Sequence, residues 1–377
     1  MEAEFKTITD MEKAYYDYEF IKADDDVVTT TTGVYQPVYG RYAWVQLNME
    51  SNLFGMLPKA PWRRSGWRVI TARTSSTATG GTAEDGTLPD TVKPTWSTVS
   101  TKPKTVAHTF AVSEVQQFLA TRSDDDATAS LDDVRKYMAV EHAWHISKML
   151  GTDVNTLAGN NLESIDRVCS SYSEVSDSSI GLDAGDADIY GIDRDAGASW
   201  ADAYVDHNSG TDRDLTDTMI RTAINTIRES GGNPTMIVTG YDTYSKIQGL
   251  YDTQVRYNPL GQAKVQTGVE GVKTAEGIEA GINVATLYGL PLLVSQHVPK
   301  DTISRIYILD TSNPEGFDTP RLFMGVAKPT EYFESGMDSP NKDPFTVGKL
   351  ATKGMYRTMG ELICKFFAAQ GKIRDLK

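Results

Sequence analysis

Residues 62–74 read WRRSGWRVITART, residues 76–90 read STATGGTAEDGTLPD, and residues 93–108 return as KPTWSTVSTKPKTVAH. In the first run Trp67, Val69 and Thr71 fall on one side of an extended strand, and Arg68, Ile70 and Ala72 fall on the other, a period of two. Gly80-Gly81 and Asp85-Gly86 are turn chemistry between the runs. The reading is one long β-hairpin over residues 62–106. At about 3.3 Å per residue its first arm reaches roughly 40 Å, further than a compact domain of this size needs. A two-stranded arm is marginal in water, and no helix-forming segment interrupts it to cover its Trp and Val side chains. A neighbouring copy of the chain is the simplest source of that cover, so assembly is the first expectation.

The rest of the composition narrows the partners. The chain has 377 residues and a formal net charge of −14, enough length for two or three modules. That charge disfavours general attraction to nucleic acid or an anionic membrane. Two cysteines, Cys169 and Cys364, are too few for a disulfide framework and are read as reduced, partly buried thiols. The first twenty residues lack a basic start followed by an apolar run, and no run of eighteen apolar residues occurs, so neither a secretory signal nor a membrane span is expected. The expectation is a soluble protein made in the cytoplasm.

Outward from the hairpin, residues 4–22 place Phe5, Ile8, Met11 and Tyr15 at helical spacing and read as an aromatic arm, ending at Asp24-Asp25-Asp26. After the hairpin, TFAVSEVQQFL (109–119) is a strand running into a short helix. Asp124–Asp126 form a loop, and Ser130 with Asp133 makes a capping-box-like start for LDDVRKYMAVEHAWHISKML (131–150), a spine helix stopped by Gly151. Twenty residues give a rod of about 30 Å. Residues 152–213, rich in Ser, Asp and Gly, read as a surface excursion. Asp214 opens an alternating helix–strand unit: Leu215, Met219, Ala223, Ile224 and Ile227 share one helical face before Gly231-Gly232. The strand Met236-Ile237-Val238 and the helix YDTYSKIQGL (241–250) follow, then strands at 290–298, 303–309 and 322–327. GELICKFFAAQGKI (360–373) is a strand returning to the core. The fold class is α+β.

Candidate chemistry is sparse. His142 and His145 stand at i and i+3 on the spine helix, a spacing that suits a shared metal, but no further His or Cys lies close, so a polar helix face is the expectation. The nucleophile elbow, the P-loop and G-x-G-x-x-G are absent. In DAGDADIYGIDRD (183–195), Asp186, Asp188 and Gly191 fit the first, third and sixth places of a cation loop. Tyr190 takes a ligand place, however, and Gly197 stands where a bidentate Glu is needed. Asp186 and Asp188 are therefore the metal candidates, for a structural Ca²⁺ or Na⁺, with a solvated acidic loop as the default and no other cofactor expected. Arg63, Arg64, Arg68, Arg73, Lys93, Lys102 and Lys104 make the hairpin a basic surface in an acidic chain, suited to steering and register against acidic faces of a neighbour. Trp67, Val69 and Trp96 are the expected inter-subunit contacts, and Arg68, Arg73 and Lys104 the expected charge partners.

This order of parts resembles the major capsid proteins of tailed viruses with the HK97-type fold, along nearly the whole chain. In that resemblance residues 1–61 are the N-terminal arm and 62–106 the extended loop. Residues 107–213 are a peripheral domain containing the spine helix 131–150 and an acidic insert at 152–213. Residues 214–316 are an axial α/β domain, and 317–377 are return strands. The resemblance implies a structural, non-catalytic protein of the virion, assembled in the cytoplasm of a bacterial or archaeal host. Copies would form hexamers and pentamers of an icosahedral shell around double-stranded DNA, which is not bound sequence-specifically. Portal, scaffold or minor capsid and decoration proteins are the further partners it implies, with no membrane. Two other readings are an encapsulin-like nanocompartment shell with the same fold, and a metal-dependent enzyme using the acidic insert and His207.

Overall fold

A computed structural model describes residues 47–72, 84–86, 91–122, 130–155, 159–183, 185–252, 286–337 and 347–377. The aromatic arm at 4–22, the acidic triplets at 24–26 and 124–126, Gly80-Gly81 and Arg73 lie outside the described residues.

Three sheets carry the chain. The expected hairpin is a two-stranded sheet of Gly66–Ala72 with Thr95–Ser100. A four-stranded sheet runs in the order Lys59–Pro61, Leu322–Gly336, Ala351–Cys364, Lys104–Ser113. A six-stranded sheet runs Tyr204–Asp206, Gly371–Ile373, Ile306–Leu309, Met236–Thr239, Leu290–Val294, Thr286–Leu287, with parallel and antiparallel pairs mixed. Every residue of Ile306–Leu309 is buried, as expected for a central strand covered on both faces.

The helices follow their sequence signals. In Asp217–Glu229 the buried positions are Ile220, Ala223, Ile224 and Ile227, the spacing of one apolar stripe. They pack with Ile237, Leu292, Ile306, Ile308 and Ile373 of the sheet, and each such buried side chain contributes about 1.5–3 kcal/mol. Gly231 takes a left-handed φ of +88°, and the Gly232 amide donates to the Ile227 carbonyl, which closes the helix end. The spine helix spans Leu131–Leu150. The Ser130 hydroxyl accepts the Asp133 amide at 3.3 Å and donates to the Asp133 carboxylate at 2.7 Å, so the expected cap is present. Among the described residues no helix is long and apolar enough to cross a membrane.

The chain forms two compact units. Among the described residues, one takes those of Val106–Ala143 and Thr330–Thr358, and the other takes those of Glu50–Thr105, Trp144–Pro329 and Met359–Lys377. In the first, Phe110, Val112 and Leu131 form the core, and Phe110 stacks on Tyr332 and Tyr356. His142, expected on a polar helix face, is instead buried here. Its Nδ1 lies 2.7 Å from His108 Nδ1 and its Nε2 lies 2.7 Å from the Thr358 hydroxyl, partners that satisfy both ring nitrogens and make burial tolerable.

In the second unit the segment after Gly151 overturns the expectation of a surface excursion. Val154, Leu162, Ile165, Val168, Ile189, Tyr190 and Ala201 are buried, as are Asp166, Glu174 and Arg194. The Arg194 guanidinium donates to the carbonyls of Arg167, Val168 and Ala201. Polar side chains that saturate backbone groups stand here where an apolar stripe would stand in a longer helix. Cys169 and Cys364 are both free and both buried.

Candidate functional site

The hairpin register sets two faces. Trp67 pairs with Val99, Arg68 with Thr98, Val69 with Ser97 and Ile70 with Trp96. Along Gly66–Ala72 the side chains alternate between exposed and half-buried, the period of two expected from sequence. On the inner face Val99 is buried, and Trp67 meets Tyr190 edge-on with ring centroids 5.5 Å apart. Trp62 and Trp67 also pack against Ala60, Phe323 and Ile363. The cover that was sought from a neighbour under Trp67 thus comes from the chain itself, through Tyr190 of the segment read as a surface excursion. Val69 is half-buried on the same face.

The outer face is different. Ile70 is 55% exposed and Trp96 is 61% exposed, and their Cα atoms are partners across the two strands. Arg68 and Thr98, the pair two residues along, are exposed on the same face. Two large apolar side chains thus stand exposed side by side with a guanidinium beside them, in contrast to single scattered apolar residues. Of the residues expected to contact a neighbour, Trp96 and Arg68 lie on this face and Trp67 and Val69 on the opposite one. Ile70, which was not among the expected contacts, is exposed on this face too, as its place in the alternation two residues from Arg68 requires.

The basic residues divide as well. Arg64, Lys93 and Lys102 are exposed, and Arg63 pairs with Asp318 at 3.0 Å on the surface. Lys104, expected to face a neighbour, is committed inside its own chain. Its ammonium lies 3.0 Å from Glu361 Oε2 and 3.4 Å from Glu163 Oε1. The sequence offered no sign of this, because Glu361 lies on the distant strand Ala351–Cys364.

The acidic loop closes on itself. The Asp186 carboxylate accepts the Asp183 amide at 2.8 Å, and that of Asp188 accepts the Arg194 amide at 3.2 Å. The Asp188 carbonyl accepts from the Arg167 guanidinium. These carboxylates lock turns and do not converge, and among the described residues no group of three or more His, Cys, Asp or Glu could hold a metal ion. His207 stands 3.7 Å from Asp177, away from Asp186 and Asp188 in partnership.

The same segment also contributes to a buried ionic cluster. Asp166 faces Arg305 at 2.8 Å, Lys372 at 3.2 Å and the Tyr307 hydroxyl at 2.8 Å. Lys372 also meets Glu174 at 2.7 Å, and Glu174 is bound by Arg374. Burial alone would raise both carboxyls, but Lys372 with Arg305 for Asp166, and Lys372 with Arg374 for Glu174, holds each below the usual carboxylate range. The cluster ties the segment after Gly151 to the C-terminal strand Gly371–Ile373.

Comparison with known proteins bears on what this framework is for. Residues 195–303 match the family model described as the SU10 major capsid protein. No curated protein sequence matches the chain. Among solved structures, the cyanophage A-1(L) capsid asymmetric unit is similar with a TM-score of 0.56 at 12% identity, over 95% of this chain and 97% of that one. The capsid of an empty GTA particle is similar with a TM-score of 0.53 at 13% identity, over 89% of this chain and 93% of that one. The native GTA capsid gives 0.50 at 11% identity over the same shares, 89% and 93%. The fold is the HK97-like fold of phage capsids, built from mixed helix and sheet.

Proposed function

We propose that this chain is the major capsid protein of a tailed phage and works by self-assembly into a closed shell, without catalysis. The observation that carries the reading is the outer face of the hairpin, where Ile70 and Trp96 stand exposed side by side on a fold shared with phage capsids along the length of the chain. An exposed aromatic–aliphatic pair with an adjacent arginine has the composition of an interface core and rim. The finer picture is of copies in hexamers and pentamers, with the hairpin of one subunit lying across the next and Arg64 and Arg68 meeting acidic groups there. The net charge of −14 suits a shell that encloses double-stranded DNA without gripping it, since tight phosphate binding would oppose loading and release. In this picture residues 107–213 are peripheral, 214–316 gather at the capsomer centre, and the chain resides in the virion.

The test is assembly of the purified chain, followed by light scattering and electron microscopy. Capsomers or closed shells are expected. A strict monomer at high concentration across all salt conditions refutes the reading. Shells filled with an enzyme cargo in place of DNA when isolated from cells would move the function to a nanocompartment.

A further inference from the structure

His108 and His142 meet inside the first compact unit and have no part in the hairpin face. His142 is buried on the spine helix, and His108 is half-buried on the strand Lys104–Ser113. Their rings meet edge-on with centroids 5.0 Å apart, and the two Nδ1 atoms stand 2.7 Å apart. His142 Nε2 lies 2.7 Å from the Thr358 hydroxyl, which lies 2.8 Å from that of Thr330. These four side chains join the helix to three strands of the four-stranded sheet. From the sheet, the Tyr356 ring stacks on His142 with centroids 6.3 Å apart. Glu334 is held by Arg135 of the helix at 2.7 Å and by the Tyr332 hydroxyl at 2.8 Å, and Glu331 is held by Arg357. On the helix, Glu141 stands about 100° round from His142, and His145, one turn on, adds charge of the same sign in acid.

Two ring nitrogens in contact hold one proton between them, because one must donate and the other must accept with its lone pair. With one extra proton on the pair, one ring is an imidazolium that donates through Nδ1, and the other stays neutral. A second extra proton would set two N–H groups head to head and two like charges on rings 5.0 Å apart. The closed contact therefore carries at most one positive charge, whereas two separated histidines in water both become charged below about pH 6.5. We propose that His108 and His142 form an acid-sensitive joint between the spine helix and the sheet, closed at neutral pH and parted when both rings are charged. Folded chains open locally at all times, and the proton count sets how often this joint does so. The stabilisation from the contact is present above about pH 6.5 and is lost as pH falls below it, since the parted form binds more protons. With one proton on the closed pair and two on the parted pair, the opening constant rises roughly sixfold from about pH 6 to about pH 5. The joint is a property of one chain and stands or falls apart from the shell reading.

Two measurements on the full-length, unassembled chain test it. Hydrogen exchange followed by mass spectrometry at about pH 6 and about pH 5, corrected for intrinsic rates, reads the opening. The amides of residues 138–143 are expected to exchange roughly sixfold faster at the lower pH, and those of Ile306–Leu309 to be unchanged. His108→Asn keeps a side chain that can accept from His142 Nδ1 and removes the second charge, so it is expected to flatten that step. Nuclear magnetic resonance of the parent chain with isotope-labelled histidine reads the protons directly, whether or not the variant folds. At about pH 5 the folded pair is expected to keep one ring nitrogen without a proton. Both rings fully protonated in the folded chain overturns the proposal, and so does a flat exchange response in the parent or an undiminished one in His108→Asn.

Discussion

Replacing Lys372 by methionine tests whether the buried ionic cluster holds the larger unit together. The ammonium is 0% exposed and stands between two carboxylates that are also 0% exposed, 2.7 Å from Glu174 and 3.2 Å from Asp166. Methionine keeps much of the side-chain volume and removes the charge, leaving Glu174 with Arg374 and Asp166 with Arg305. Breaking a buried pair by deleting one partner costs about 3–5 kcal/mol, because an uncompensated charge stays behind. For a unit of this size that is a fall in melting temperature of roughly 6–20 °C. The pH dependence sharpens the test. In the parent, Glu174 is held below its ordinary value of 4.5 despite burial, so its contribution is present above that value and is lost as pH falls through the folded value. Without Lys372 only Arg374 opposes burial, so the folded value rises and the stabilisation that Glu174 contributes above its ordinary value shrinks. The deficit is therefore largest near pH 7–8 and narrows as pH falls below that ordinary value of 4.5. Calorimetry or circular dichroism melts of the unassembled chain above and below it measure the deficit. A deficit under about 1 kcal/mol, or one that does not change with pH, refutes the reasoning.

Other outcomes follow from particular contacts. The double substitution Ile70→Asp with Trp96→Asp puts charge on the outer hairpin face and is expected to abolish particles in micrographs, while the melting temperature of the unassembled chain moves by the equivalent of about 0.5 kcal/mol or less. Ser130→Ala removes the acceptor for the Asp133 amide and is expected to cost about 1 kcal/mol in urea unfolding. Burial raises the thiols of both Cys169 and Cys364, the latter to about 12, so a thiol reagent at neutral pH is expected to label neither until denaturant is added.

The parts legible in the sequence were those whose stabilising contacts are local or periodic. Ala223, Ile224 and Ile227 announce their helix by spacing, Ser130 and Asp133 announce a cap three residues apart, and Trp67 to Ala72 announce a strand by alternation. The segment after Gly151 was misread because its order comes from elsewhere. Its helices, Ile165–Val168 and Tyr172–Ser176, are too short to show an apolar period. Asp166 looks like a surface carboxylate until it is seen that Arg305 and Tyr307, 139 and 141 residues away, satisfy it. No window-based pattern can register partners at that separation.

The same limit explains the division of the candidate contacts. Alternation separates Trp67 and Val69 from Ile70 and Trp96 at the level of sequence, but which face is the inner one depends on Tyr190, and Tyr190 is held by the strand Ala351–Cys364. Once that strand is in place, the inner face is spent within the chain and Lys104 with it. What remains exposed is the outer face, with Ile70 and Trp96 at its centre and Arg68 at its edge; under the proposed function this is the face another copy would meet. A variant of the outer pair is therefore expected to lose assembly while keeping the melting temperature of the unassembled chain, because the inner contacts of Trp67 with Tyr190 are untouched. Light scattering and circular dichroism melts measure both, and assembly that survives the substitution would show that the outer face is not the contact surface.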